Sequence, residues 1–177
     1  MDTPHQAVVV LVRAIDQAGD VLAAIHADEL DNPTPCADWT VRELADHLAI
    51  APTRFLAMAR GEEIHWAAAP LIAEGTWATI FRTTGDDLIH HWHEQPDDQV
   101  GQADWQTAEI AVHAWDLARA TGHAGTLDEE VAERALAFMQ QGLTDENRGP
   151  VFGPPVSVAD DAPAYDRLAA FAGRDPA

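Results

Sequence analysis

Three side chains in the stretch AEIAVHAWDLARATG (residues 108–122) are of types that bind metal ions or move protons. Glu109 and His113 lie four residues apart, and Asp116 follows three residues later. In an α-helix this spacing places all three on one face, with Glu109 and His113 about 6 Å apart along the axis. A metal bound from a helix uses such i, i+4 donors, because both must reach one centre about 2 Å away. The stretch therefore predicts part of a metal site.

A third ligand has to come from another helix. His47 is the candidate, because it follows the apolar Leu44 by three residues and lies next to Leu48. His47, Glu109 and His113 would give two imidazoles and one carboxylate with open positions, a pattern typical of a reactive zinc site. The same ligand count fits non-haem iron, so the choice between Zn²⁺, Fe²⁺ and Ni²⁺ stays open, with Zn²⁺ as the first candidate.

A solvated Glu–His pair, worth about 0.2–0.5 kcal/mol, is the alternative interpretation of Glu109 and His113. Burial favours the metal site, because an unpaired buried carboxylate is costly and this helix is largely apolar. Asp116 could orient His113, but we predict that it forms a salt bridge to Arg119 or Arg42. The apolar residues of this helix are Trp105, Ile110, Val112, Trp115 and Leu117.

The run HHWHE (residues 90–94) is the rival metal cluster. It contains i, i+4 pairs such as His90 with Glu94, but its adjacent histidines point apart and it leads into a polar loop. We predict a solvated helix end, where histidines interact favourably with the helix dipole. Cys36 has no neighbouring base in sequence, so we predict a half-buried packing role.

Apolar residues at helical spacing predict helices over residues 5–28, 40–61, 72–94, 105–121, 127–142 and 164–172. The capping box TVRE at residues 40–43 begins the second helix, and Pro52 should kink or split it. A second capping box, TLDE at residues 126–129, opens the fifth helix, and Gly122 ends the fourth. Residues 156–158 carry the only hint of a strand.

These helices and their short loops predict an all-α fold. We expect a single domain over residues 1–177, with an up-and-down four-helix bundle at about residues 5–122 and a C-terminal helical extension at about 123–177.

The chain is strongly acidic, with 10 Lys and Arg against 30 Asp and Glu and a formal net charge of −20. Such a field repels phosphate backbones and anionic lipids, so we expect neither nucleic acid nor membrane as a partner. The single cysteine allows no internal disulfide, and the first residues resemble neither a signal peptide nor a membrane span. We therefore expect a cytoplasmic protein.

Three stretches together resemble the mycothiol-dependent maleylpyruvate isomerase metal-binding domain family, within the DinB-like four-helix bundles. They are TPCADWTVRELADHL (34–48), AEIAVHAWDLARATG (108–122) and FGPPVSVADDAPAYDRLAAFAGRDP (152–176). The last looks like the tail of a short, stand-alone branch. The resemblance implies a divalent metal, zinc in the isomerase, on a histidine of the second helix and a Glu-x-x-x-His pair of a later one. These positions fall on His47, Glu109 and His113.

The resemblance also implies a small-molecule thiol such as mycothiol as cofactor. The metal would stabilise its thiolate, which would attack a small electrophilic substrate in an isomerase or S-transferase reaction. Glu109 would be a ligand, or a base if no metal binds. The alternative is a non-catalytic metal-binding or sensor module, as a monomer or homodimer, that uses the same three residues.

Overall fold

The computed structural model describes residues 4–36, 38–65, 70–149 and 151–177, and its regular structure there is helical. The only β-type pairing in these ranges is an isolated antiparallel bridge between Pro33 and Thr40. The all-α prediction is confirmed, and the hint of a strand at residues 156–158 is wrong. The α-helices are α1 (Pro4–Ala23), α2 (Val41–Ala49), α3 (Ala51–Ala59), α4 (Trp77–His93), α5 (Ala103–Thr121), α6 (Glu129–Gly142) and α7 (Ala164–Phe171).

Four helical segments form the bundle, with α2 and α3 acting together as one of them. α1 packs against both α4 and α5, and the α2–α3 pair lies across from it, with α2 touching α4 and α5 and α3 touching α4. α6 packs against α5 and α1, and α7 packs against α6 and α5. Buried side chains from both the bundle and the extension share one hydrophobic core. The boundary at about residue 122 stays a prediction.

The first helix buries the stripe that its sequence predicts. Val8, Leu11 and Ile15 are at most 4% exposed. The helix ends at Ala23 rather than near residue 28. A separate 3₁₀ turn, Ala27–Glu29, follows it.

Close contact between α1 and α4 depends on glycine. A Cβ atom added to Gly85 of α4 would lie 2.9 Å from Cγ2 of Ile15, which is buried and has little room to move. Both α1 and α4 continue through their glycines, Gly19 and Gly85, without a break. Gly85 therefore marks a close approach of two helices.

The capping box at the start of α2 is confirmed. The Glu43 backbone N–H donates to the Thr40 hydroxyl at 3.3 Å, and the Thr40 backbone N–H donates to the Glu43 carboxylate at 2.9 Å. Pro52 lies in the first turn of α3, where its missing N–H costs no helical hydrogen bond. The chain is split between α2 and α3, as the proline predicts.

α4 begins later than predicted, at Trp77 rather than at residue 72. The buried Asp46 of α2 anchors the chain on both sides of this start, because its carboxylate accepts hydrogen bonds from the Trp77 indole N–H at 2.7 Å and the Ile72 backbone N–H at 3.4 Å. Gly75, with φ of 79°, turns the chain between these two anchors in a left-handed conformation.

The prediction for the end of α5 is correct, and the prediction for the start of α6 is wrong. Gly122 ends α5 in the left-handed conformation, with φ of 60°, as predicted. α6 begins at Glu129, and its N-cap is Asp128, whose carboxylate accepts from the Glu130 backbone N–H at 3.0 Å. The predicted capping box at residues 126–129 is therefore wrong by two positions. None of the helices that the structure describes is long and apolar enough to cross a membrane.

Candidate metal centre

α2 and α5 bring the three predicted ligands together. His47 lies on α2, and Glu109 and His113 lie one turn apart on α5. The imidazole Nε2 atoms of His47 and His113 lie 3.2 Å and 3.1 Å from the same oxygen, Oε1 of Glu109. Both histidines are buried, and the Glu109 side chain is 19% exposed. Two helices thus direct three donor atoms at one point.

The donor set fits a divalent cation. One ligand atom from each of His47, Glu109 and His113 can be chosen so that all lie within 4.8 Å of one another. Two nitrogens and one carboxylate oxygen are donors suited to zinc and to other first-row divalent metals. In the present arrangement the histidine N–H groups point at the Glu109 carboxylate. These hydrogen bonds keep the three side chains together at the position that a cation could occupy.

The charges of this cluster follow from burial and mutual contact. Burial alone would raise the pKa of Glu109, but the charge of His113 and hydrogen bonds from both histidines hold that pKa well below its usual value. Burial also opposes a charge on His113, yet the Glu109 carboxylate and the hydrogen bond to Asp116 raise its pKa well above 6.5. Burial lowers the pKa of His47. Without metal, the cluster therefore contains a carboxylate, a protonated His113 and a neutral His47.

Asp116 orients His113, and its salt-bridge partner differs from both predicted ones. Its Oδ2 lies 3.2 Å from His113 Nδ1, so that the other ring nitrogen faces Glu109. Arg174, in the C-terminal tail, donates to both carboxylate oxygens of Asp116, at 3.1 Å and 2.9 Å. The prediction of Arg119 or Arg42 is wrong, because those residues bond elsewhere: Arg42 pairs with Glu74, and Arg119 donates to the carbonyl of Pro176.

Sequence reasoning missed Arg54 of α3. It is 7% exposed, and its Nη1 lies 3.4 Å from Nδ1 of His47. A guanidinium only donates, so Nδ1 of His47 accepts and the ring proton lies on Nε2, facing Glu109. In the predicted helix over residues 40–61, Arg54 follows His47 by seven residues, about two turns, and this spacing is the signal that could have identified it. In the structure the break between α2 and α3 separates the two residues.

Cys36 is fully buried rather than half-buried. Its sulfur belongs to a second group of ligand atoms, with His113 and Asp116, that all lie within 4.8 Å of one another. Asp116 is already engaged by Arg174, which makes this group the weaker metal candidate. Trp39 from the same loop places its ring 4.7 Å from the His47 ring and so packs against the site.

The rival histidine cluster lies on the surface. His90 Nε2 is 3.4 Å from Glu94 Oε1, and the two side chains are 77% and 65% exposed. Among the residues that the structure describes, neither belongs to a group of donors close enough to hold a metal. The arrangement is that of a solvated helix end.

The protein is thus an all-α helical bundle in which two buried histidines and one carboxylate meet between the helices. The chain belongs to the family described as "Mycothiol maleylpyruvate isomerase N-terminal domain", whose sequence model matches residues 11–103. That match includes His47 and ends before Glu109. No solved structure matches the chain significantly.

Two relatives extend the similarity across the site. They are the uncharacterized proteins MT0763 and Rv0738 of Mycobacterium tuberculosis, from strains CDC 1551 / Oshkosh and ATCC 25618 / H37Rv. Each is 30% identical over 180 residues, which covers 92% of this chain and 94% of the relative. At 92% coverage of this chain the similarity extends beyond the matched family region and includes α5 and α6.

Proposed function

We propose that this protein binds a divalent metal ion, Zn²⁺ first among the candidates, through His47, Glu109 and His113. It would use the metal with a small thiol of the mycothiol type, as an isomerase or S-transferase acting on a small electrophile. The observation that carries the proposal is the convergence of both Nε2 atoms on one Glu109 oxygen, at 3.1 Å and 3.2 Å. Family membership supports the metal and the thiol.

The protein's own residues would prepare the site in two ways. His47, Glu109 and His113 supply three ligands and leave further positions open. Asp116 accepts a hydrogen bond from Nδ1 of His113, which leaves Nε2 of that ring to face the metal. A divalent cation supplies, when bound, the positive charge that lowers the pKa of a thiol and so favours the thiolate at neutral pH.

The proposed chemistry needs no oxidant or reductant. In an S-transfer the thiol loses its proton to solvent, its sulfur forms a bond to an electrophilic carbon, and the leaving group departs with its electron pair. In an isomerisation the thiolate sulfur adds to one carbon of a conjugated double bond, and the π electron pair moves onto the conjugated electron-withdrawing group. After rotation about the resulting single bond, the pair returns to re-form the double bond and expels the thiolate.

A thiol-transfer assay tests the proposed activity. Purified protein is incubated with mycothiol and a panel of small electrophiles, with added Zn²⁺ or with a chelator. We expect turnover that needs both metal and thiol, is lost in His113→Ala, and persists in His90→Ala, a matched change of an exposed histidine on α4. Metal binding without turnover across the panel would contradict the enzyme and support the non-catalytic metal-binding or sensor module instead.

A further inference from the structure

A cavity of about 300 Å³ lies beside Glu109, between α5, α6 and the loop that follows α6. Apolar side chains form most of its wall. They are Trp105 of α5, Phe138 and Met139 of α6, and Leu143 and Phe152 beyond α6. The extension that follows the bundle thus supplies most of the apolar wall of a cavity that opens onto a candidate metal ligand.

The size and charge of the cavity define what it can hold. A volume of about 300 Å³ is at the lower end of small-molecule sites. The one ionisable side chain in its described lining is Glu109, an anion, and the whole chain carries a net charge of −20. No basic side chain of the described lining could pair with an anion, so a charged or strongly polar ligand would lose its water contacts against an apolar wall without compensation.

We propose that this cavity binds a neutral, apolar molecule with one or two aromatic ring systems and holds it against Glu109. As the electrophile of the proposed reaction, such a molecule would lie next to the metal and the thiol; this role rests on the proposed function, whereas the binding itself does not. The ligand class is set by α6 and the loop after it, which lie outside the matched family region of residues 11–103.

The loop wall is held in place by its own hydrogen bonds. The Asn147 side chain accepts from the Thr144 backbone N–H at 2.7 Å and donates to the Gly142 carbonyl at 2.8 Å, which closes the turn after α6. Arg174 holds the next part, because it donates to the Val151 carbonyl at 2.7 Å and its guanidinium carbon lies 5.6 Å from the centre of the Phe152 ring. A preformed wall of this kind loses little entropy on binding.

Arg174 also connects the cavity to the metal ligands. It holds Phe152 on one side, and on the other it pairs with Asp116, which orients His113. The same guanidinium thus positions a wall of the cavity and a ligand of the metal centre.

Two fluorescent probes of matched shape test the proposed ligand class. N-phenyl-1-naphthylamine is neutral, and 1-anilinonaphthalene-8-sulfonate is its anionic counterpart. We expect the neutral probe to bind at least about tenfold more tightly, a difference that titration resolves easily. Equal or tighter binding of the sulfonate would overturn the proposal. To test the link to electrophiles, neutral 1-chloro-2,4-dinitrobenzene should displace the bound probe, and failure to do so would contradict the cavity's role in the reaction.

A cavity-filling variant locates the probe. Gly142 lines the cavity and a Cβ atom there meets no atom within 4 Å, so Gly142→Leu adds a side chain at the cavity wall. Gly101 does not line the cavity, and a Cβ atom there is equally unhindered, which makes Gly101→Leu the matched control. We expect at least about tenfold weaker probe binding in Gly142→Leu and less than about a twofold change in Gly101→Leu. Unchanged binding in Gly142→Leu would overturn the proposal.

The same experiment separates failure of the cavity from failure of the metal site. His47 does not line the cavity, so His47→Ala should lose metal and keep the probe, whereas Gly142→Leu should keep metal and lose the probe. A protein that binds the probe but no metal would contradict the proposed function and leave the cavity intact. A protein that binds metal but no probe would contradict the proposed cavity ligand and leave the proposed metal site intact.

Discussion

Arg174 and Asp116 form a buried bidentate ion pair, with nitrogen–oxygen distances of 3.1 Å and 2.9 Å. Asp116 is fully buried and Arg174 is 3% exposed, although 58 residues separate them. The pair fastens the C-terminal tail to the helix that carries Glu109 and His113. Loss of one partner should therefore affect both stability and the candidate metal centre.

Removal of the guanidinium should be severely destabilising. In Arg174→Ala the Asp116 carboxylate stays buried and loses its bidentate partner, and breaking a buried pair of this kind costs about 3–5 kcal/mol. Metal affinity should fall about 10–100-fold, because Asp116 no longer holds His113 firmly. Urea denaturation and a metal-competition titration measure the two effects.

The control for Arg174→Ala is Arg82→Ala. Arg82 pairs with Asp20, and these side chains are 44% and 72% exposed. An exposed pair of this kind contributes at most about 1 kcal/mol. Equal losses of stability in the two variants would show that the buried pair stabilises the protein no more than the exposed pair does.

Metal binding should release about one proton per chain near pH 7. The pKa of His113 lies well above 6.5 in the metal-free protein, so the ring is charged at that pH and must lose a proton to bind a cation. Metal affinity should therefore rise with pH until the pKa of His113 is passed. Calorimetric titrations in two buffers of different ionisation enthalpy give the number of protons released, and zero protons would contradict the assigned charge of His113.

The same raised pKa predicts how metal-free stability depends on pH. The charge on His113 contributes stability that is fully present below 6.5 and is lost as pH rises through the folded-state pKa. Bound metal removes this contribution, since the ring is then neutral. Melting curves at neutral and alkaline pH measure this effect. The metal-free protein should lose the His113 contribution to its stability at alkaline pH, and the metal-bound protein should show no such loss.

Asp46 should be required for the start of α4. Asp46→Ala leaves the buried indole N–H of Trp77 without its partner at 2.7 Å, which costs about 1–3 kcal/mol. Asp46→Asn keeps an oxygen that can accept the same bond, and it should retain most of the stability. If Asn and Ala destabilise the protein equally, the carboxylate acts through its charge rather than through these hydrogen bonds.

Gly85 should resist replacement by alanine. Alanine normally favours a helix by about 1 kcal/mol over glycine. Here its Cβ would lie 2.9 Å from Cγ2 of the buried Ile15, and overpacking of that kind costs about 1–3 kcal/mol. We expect net destabilisation that the second change Ile15→Ala partly relieves in a double-mutant cycle. Gly101→Ala, at an open position, is the control, and a Gly85→Ala protein as stable as the wild type would refute the close contact.

Local signals in the sequence were sufficient for several features. The Thr40–Glu43 capping box, the split at Pro52 and the end of α5 at Gly122 each depend on residues within one or two turns of one another. The juxtaposition of Glu109 and His113 follows from helical spacing in the same way. His47 required the further inference that its helix faces theirs.

Features that depend on contacts distant in sequence were missed. Arg174 comes to Asp116 only because α7 packs on α5 and α6, and no spacing rule connects residues 58 positions apart. The late start of α4 likewise depends on Asp46, a residue of another helix. The prediction for the start of α6 was wrong for a different reason, since Thr126 and Asp128 are both good N-caps and the sequence offers no means to rank them.

Metal content tests the central claim most directly. The protein is purified without a histidine tag, exposed to Zn²⁺, freed of loosely bound metal and measured by mass spectrometry, beside His47→Ala, His113→Ala and the surface control His90→Ala. We expect about one metal ion per chain in the wild type and in His90→Ala, and much less in the other two variants. Metal-free wild-type protein, or metal content that His47→Ala and His113→Ala leave unchanged, would contradict the assignment of His47, Glu109 and His113 as ligands.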